Sequence, residues 1–211
     1  MQRIGARSIP VLSRGDEFVF AQNIAQVVAF LKLDEKTGPV LSPAQLVERL
    51  TRFLDAALRI VPLMPDDRLA AEVPNRPRSY RRLAHHMFRI PEAFLAAAGG
   101  TYFSHELAGM VARPEDMAST AALAAYGRGV REAVQRWWAG RADRSCREIV
   151  ETYYGPQQLH EVLERTTWHV AQHCRQWMML LDIAGISFAR PLGEGDFADL
   201  PMPKQVWDDE G

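Results

Sequence analysis

Residues 166–177 read TTWHVAQHCRQW and place His169 and His173 four positions apart. On an α-helix each residue turns the chain by about 100°, so the two side chains stand about 40° apart, one turn above the other. That spacing lets two imidazoles reach one metal ion. Phase says more than spacing. Thr166, His169, His173, Gln176 and Trp177 continue an apolar stripe that begins at Leu159 and Val162, so both rings are expected to point into the protein. Imidazoles buried without partners are costly; coordination satisfies one nitrogen on each ring and leaves the other for an outer acceptor. The competing reading is an ordinary helix on which both histidines are partly buried and hydrogen-bonded, and the pair alone does not decide between the two.

A third imidazole shifts the balance toward a metal. LAHHMFRI, residues 83–90, offers His85 and His86. Neighbours on a helix point about 100° apart, so only one of them can share an ion with the first pair. His86 lies three residues after Leu83 and four before Ile90, within the apolar stripe, whereas His85 falls toward its edge; His86 is the expected partner. Three histidines from two helices leave a coordination position for water or substrate, the open arrangement of a catalytic site. Gln172, Arg175 and Gln176 are near enough to support the ligands or orient a substrate, although only Gln176 is well phased. Cys174 points about 100° away from His173 and reads as a buried, inert thiol. His105 and His160 read as surface groups.

These residues need long helices to hold them. Ser42-Pro43-Ala44-Gln45 combines an N-cap serine, a first-turn proline and a capping-box glutamine, and opens a helix to about Val61 along Leu46, Leu50, Phe53, Leu54 and Ala57. The proline-rich stretch 62–78 predicts a loop. A second helix is expected over 79–98, kinked at Pro91 because the bond to the Met87 carbonyl is lost. A third is expected over 115–139 and a fourth over 157–184, each with one apolar face. The fold class is therefore all-α, an antiparallel four-helix bundle across residues 39–185. Before it, residues 1–38 read as a β-hairpin around Arg14-Gly15-Asp16 followed by a short helix through Ile24, Val27, Val28 and Leu31, with Lys36–Pro39 as linker. After it, residues 186–211 carry prolines and glycines but also Phe188, Leu192, Phe197, Leu200, Val206 and Trp207, which predicts an extended strap across the bundle.

Composition excludes several classes of function. A chain of 211 residues with 47% apolar and 24% charged residues is long and apolar enough for a globular core. The net charge of −1 gives no field to attract nucleic acid. No apolar run approaches the ~20 residues that cross a bilayer. Two cysteines without CxxC spacing signal neither a disulfide framework nor a thiolate zinc site, and the expected location is a reducing cytoplasm.

PDDRLAAEVPNRPRSYRRLAHHMFRI, residues 65–90, together with VLERTTWHVAQHCRQW, residues 162–177, resembles the DinB/YfiT-like metalloenzyme superfamily over about residues 42–185. The resemblance implies an antiparallel bundle with a long crossover between its second and third helices. It also implies a divalent ion, commonly zinc or nickel, on His86, His169 and His173, and a homodimer. Characterised relatives of this kind include S-transferases and a maleylpyruvate isomerase that use low-molecular-weight thiols. A second resemblance links ARSIPVLSRGDEFVFAQNIAQVVAFL, residues 6–31, to the C-terminal half of a glutaredoxin or thioredoxin-like domain, whose CxxC half is absent.

Two functions of different kinds follow. One is a metal-dependent enzyme acting on a small molecule, in which the ion activates a thiol such as glutathione for transfer or isomerisation, with metal-hydroxide hydrolysis as its variant. The other is a non-catalytic, stress-related bundle binding a ligand or partner in an apolar cavity near Trp168, Trp177, Phe88 and Tyr153.

Overall fold

The computed structural model describes residues 11–20, 24–34, 38–74, 76–110 and 116–207. Four long helices form the body: α2 (Pro43–Ile60), α3 (Tyr80–Ala98), α4 (Thr120–Ala139) and α5 (Leu159–Ile183). α2 packs on α4 and α5, and α3 packs on the same two, so all four share one core. Phe53, Phe88, Phe94 and Trp177 are its largest fully buried side chains. The Trp177 indole N–H donates to the carbonyl of Ile60 at 3.1 Å, which satisfies the one polar atom this residue brings into the core.

Local chemistry sets each helix start. Ser42 caps α2 in the expected capping box with Gln45. The Ser79 hydroxyl accepts the Arg82 amide at the head of α3. α4 begins five residues later than the sequence pattern suggests. Its cap is Ser119, and Asp66 from the loop between α2 and α3 accepts both the amide and the hydroxyl of Thr120 at 2.7 and 2.8 Å. The stretch 62–78 contains two short 3-10 turns, Val61–Leu63 overlapping its start and Asp66–Arg68 within it. α3 runs through Pro91 without interruption.

One feature of the start of α5 has no counterpart in the sequence reading. Before the helix, β3 (Ile149–Val150) pairs antiparallel with β4 (Gln157–Gln158). The first amides of α5, on Leu159 and His160, donate to the carbonyls of Glu148 and Cys146 at 2.8 and 2.9 Å. These bonds satisfy donors that a helix start leaves open, and they fix the rotation at which α5 enters the core. His160 is correspondingly held against Leu41, its Nε2 lying 2.8 Å from that carbonyl, and is not the free surface group expected.

At the N-terminal side, β1 (Val11–Arg14) and β2 (Glu17–Phe20) form the hairpin, with Gly15 at φ +63 in its turn, and α1 (Ile24–Leu31) follows. Phe20 packs beside the buried cluster of Ala93, Ala97, Phe103 and Tyr154. The Ile9-Pro10 step and the first half of the proposed linker, residues 36 and 37, lie outside the described residues. At the other side, residues 186–207 run along the body with little regular structure beyond the Glu194–Phe197 turn. Phe197 stacks on Phe53 with ring centroids 5.8 Å apart, and Arg52 pairs with Asp196. No described helix is long and apolar enough to cross a membrane.

Candidate metal centre

α3 and α5 bring the three histidines together. One ring nitrogen from each of His86, His169 and His173 lies within 4.8 Å of the other two. The ring centroids are 5.5 Å apart for His86 and His169, 5.0 Å for His86 and His173, and 4.7 Å for His169 and His173. His85 is only 7% exposed, yet it stacks on Tyr126 of α4 at 5.2 Å, away from the trio. Burial does not separate the two neighbours, since α3 faces both α4 and α5; direction does.

Gln176 decides how His173 is presented. Its Oε1, which can only accept, lies 2.7 Å from His173 Nδ1, while its Nε2 donates to the carbonyl of Val206 at 3.1 Å. His173 Nδ1 therefore carries the proton and Nε2 keeps a bare lone pair. That Nε2 is buried and has no hydrogen-bond partner among the described residues, and the same holds for His86 Nδ1. Orphaned buried ring nitrogens are costly in a core. An all-imidazole donor set with one ring fixed by an outer acceptor suits zinc, nickel and related divalent ions. The residues fit such an ion.

Replacing Gln176 by alanine is expected to free the His173 ring. Metal affinity should fall by about 10–100-fold, read by competition with a chromogenic chelator, as when an outer-shell partner is removed.

The other two candidates beside the histidines have a different task. Gln172 Nε2 donates to the carbonyls of Gln205 and Val206 at 3.1 and 2.6 Å. Arg175 donates to Gln172 Oε1 at 3.1 Å and to the Pro203 carbonyl at 2.8 Å. They pin the strap to α5; neither lines the cleft at the histidines. Cys174 is fully buried, with its Sγ 3.5 Å from the Phe53 carbonyl, and burial pushes its thiol pKa far up. It is a core group.

Burial holds all three imidazoles neutral. Desolvation is the largest cause for each, and the positive charge of Arg78 adds to it. His86 and His169 fall well below the ordinary 6.5, helped by the neighbouring imidazoles, and His173 falls to about 4 despite its bond to Gln176. As the pH drops, the unfolded chain therefore takes up protons before the folded one does. Stability of the metal-free protein is fully present above about pH 6.5 and is lost progressively down to about pH 4. His173 alone contributes on the order of 3 kcal/mol to that loss, and the other two act in the same direction. Urea midpoints measured between about pH 7 and about pH 5 should fall steadily, and an unchanged midpoint would contradict buried neutral rings.

A small cleft, partly open to solvent, reaches His86 and His169. Ile90, Phe103, Ala108 and Tyr153 supply much of its wall, joined by Arg165, Thr166 and His105. His105, set aside in the sequence as a surface group, is exposed but sits edge-on to Tyr153 at 5.2 Å, beside the cleft. Of the aromatic residues expected around a cavity, only Tyr153 lines it. Phe88 and Trp177 are in the core, and Trp168 stacks on the His169 ring at 5.4 Å. Phe103 arrives through a bridge to Thr152, a long-range pairing without a sequence signal. Arg165 had one: it precedes His169 by four residues and shares its face. Gly109, at φ +102, lets the turn Glu106–Met110 close on α3, since a Cβ there would lie 2.6 Å from Arg89 Cγ and 3.1 Å from His86 Nδ1.

No family model matches the sequence, and no curated protein does. Among solved structures, a DinB-like protein from Bacillus cereus superposes with a TM-score of 0.55 at 18% identity, over 68% of this chain and 93% of that one. At that identity the likeness shows the fold, which is DinB-like. The three-histidine cluster is compatible with metal binding on it.

Proposed function

We propose that the protein is a metal-dependent enzyme built on an antiparallel four-helix bundle of the DinB-like type. In this reading His86, His169 and His173 hold a divalent cation, zinc or nickel, and the site acts on a low-molecular-weight thiol such as glutathione in a transfer or isomerisation reaction. The observation that carries it is the convergence of three imidazoles, two of them lining an open cleft, with the Nε2 of His173 buried and unpartnered among the described residues. When bound, the ion supplies a Lewis acid that favours the thiolate form of a thiol near neutral pH. Gln176 keeps the proton of His173 on Nδ1, so that the ring offers a lone pair. Burial keeps the other two rings in the unprotonated form that a ligand requires. The apolar wall of Ile90, Phe103 and Ala108 limits water beside a bound substrate. The thiol itself is supported by the two sequence resemblances.

Elemental analysis of protein purified without added metal, followed by thermal melts with glutathione, cysteine and a thiol-free alcohol control, tests this reading. The expected result is close to one ion per chain, with a thiol-dependent rise in Tm that disappears after chelation. An ion that is present and bound indifferently to thiol and alcohol would favour hydrolysis by a bound hydroxide. Protein that takes up no zinc or nickel would overturn the proposal.

A further inference from the structure

Arg165 is the cation of the cleft, and it is spoken for only by aromatic faces. Its guanidinium carbon lies 5.0 Å from the Tyr154 ring centroid and 5.9 Å from that of Trp168. It makes no hydrogen bond or ion pair with the described residues, unlike Arg52, Arg89, Arg131 and Arg141, each paired with a carboxylate. Thr166, 2% exposed, is also at the cleft. None of the described side chains lining the cleft is acidic. The cleft also has an apolar part, in which the rings of Phe103 and Tyr153 stack at 13° and 6.4 Å.

We propose that this cleft binds a small organic carboxylate with a planar apolar body, the acid group paired with Arg165 and the body seated against Phe103, Tyr153 and Ile90. A planar guanidinium offers two parallel N–H donors, matched by the two oxygens of a carboxylate. Cation–π contacts on Tyr154 and Trp168 hold the fork in place without neutralising it, so little freedom is lost when an acid arrives. Arg165 is the one arginine among the described residues lining the cleft, and its paired donors match one carboxylate better than a phosphate, which draws several donors. The wall that remains takes apolar surface, the usual division of labour in a small-molecule site. The ligand lies beside His86 and His169, which also line the cleft. As a statement about the electrophile of a thiol reaction, this class rests on the metal-centre reading above; as a statement about binding, it stands on the cleft alone.

Benzoate and its uncharged analogue benzamide separate the charge from the shape. Both are titrated by calorimetry into zinc-loaded protein and into chelator-treated protein, with zinc content measured in parallel. Benzoate is expected to bind at least about tenfold more tightly than benzamide in both forms, the size expected of a charge-assisted hydrogen-bonded pair. Arg165→Gln should reduce benzoate binding to the benzamide level while zinc content stays unchanged, and Arg165→Lys should retain part of the preference. Equal binding of acid and amide by the wild-type protein would overturn the proposal, whether or not the variants fold. So would a preference for benzoate that survives Arg165→Gln, or one confined to the zinc-loaded form, because the ion and not Arg165 would then hold the acid. A preference that depends on Arg165 in protein that never takes up zinc would leave this inference standing and remove the metal centre.

Discussion

His169→Ala is expected to empty the proposed metal site. The substitution removes one of three donors and leaves two imidazoles, His86 and His173, which cannot close the set. The loss in affinity should exceed the roughly 100-fold that follows from removing a mere outer partner of a ligand. Elemental analysis should fall from close to one ion per chain to near none. Stability gives an independent reading. An ion that binds the folded chain alone adds about 4 kcal/mol when present at about a thousand times its Kd, so wild-type Tm rises with added zinc while that of the variant does not. The fold should survive, since His169 lies partly exposed at the cleft and its neighbours Val170 and Thr166 carry the packing. A variant that retains the ion and the same rise in Tm would mean that the three rings meet for some other reason.

Gly127→Ala should be the most damaging small change elsewhere in the body. Alanine in place of glycine within a helix ordinarily stabilises by about 0.5–1 kcal/mol. Here the added methyl would lie 2.5, 2.6 and 2.8 Å from three atoms of the Phe88 ring, which is fully buried and edge-on to Tyr126 at 6.4 Å. The ring has no solvent to retreat into, so α3 and α4 must separate. Overpacking of this kind costs about 1–3 kcal/mol and reverses the usual sign. Phe88 follows His86 by two residues on α3, and a shift of that helix carries His86 with it. Urea unfolding should show the lost stability, and zinc titration a weaker site in the same variant. A neutral or stabilising outcome would show that the interface yields without cost.

Much of the site was legible because helical phase is a local property. The stripe from Leu159 to Trp177 sets where His169 and His173 point, and the 100° step between neighbours chooses His86 over His85. The caps at Ser42 and the helices themselves follow from the same short-range chemistry. What escaped the sequence depends on partners far along the chain. Gln172 and Arg175 sit beside the histidines but are consumed by carbonyls of residues 203–206, which no spacing rule reveals. The short β3–β4 ladder and the Phe103–Thr152 bridge join segments whose runs are too brief to read as strands. The later start of α4 reflects Asp66, a loop residue 54 positions away from Thr120. The hairpin turns at Gly15 and α1 spans Ile24–Leu31, as the sequence suggests, while β1, Val11–Arg14, runs further toward the turn than expected.

The amide of Gln176 touches His173 with one end and the Val206 carbonyl with the other. On the proposed metal reading, ion release and peeling of the strap are linked through this amide, and each biases the other by the same factor. A protease should nick the backbone near residues 203–206 faster once zinc is stripped away, and digestion should slow again on reloading. The tail of this fold would then serve as a gauge of how full its centre is.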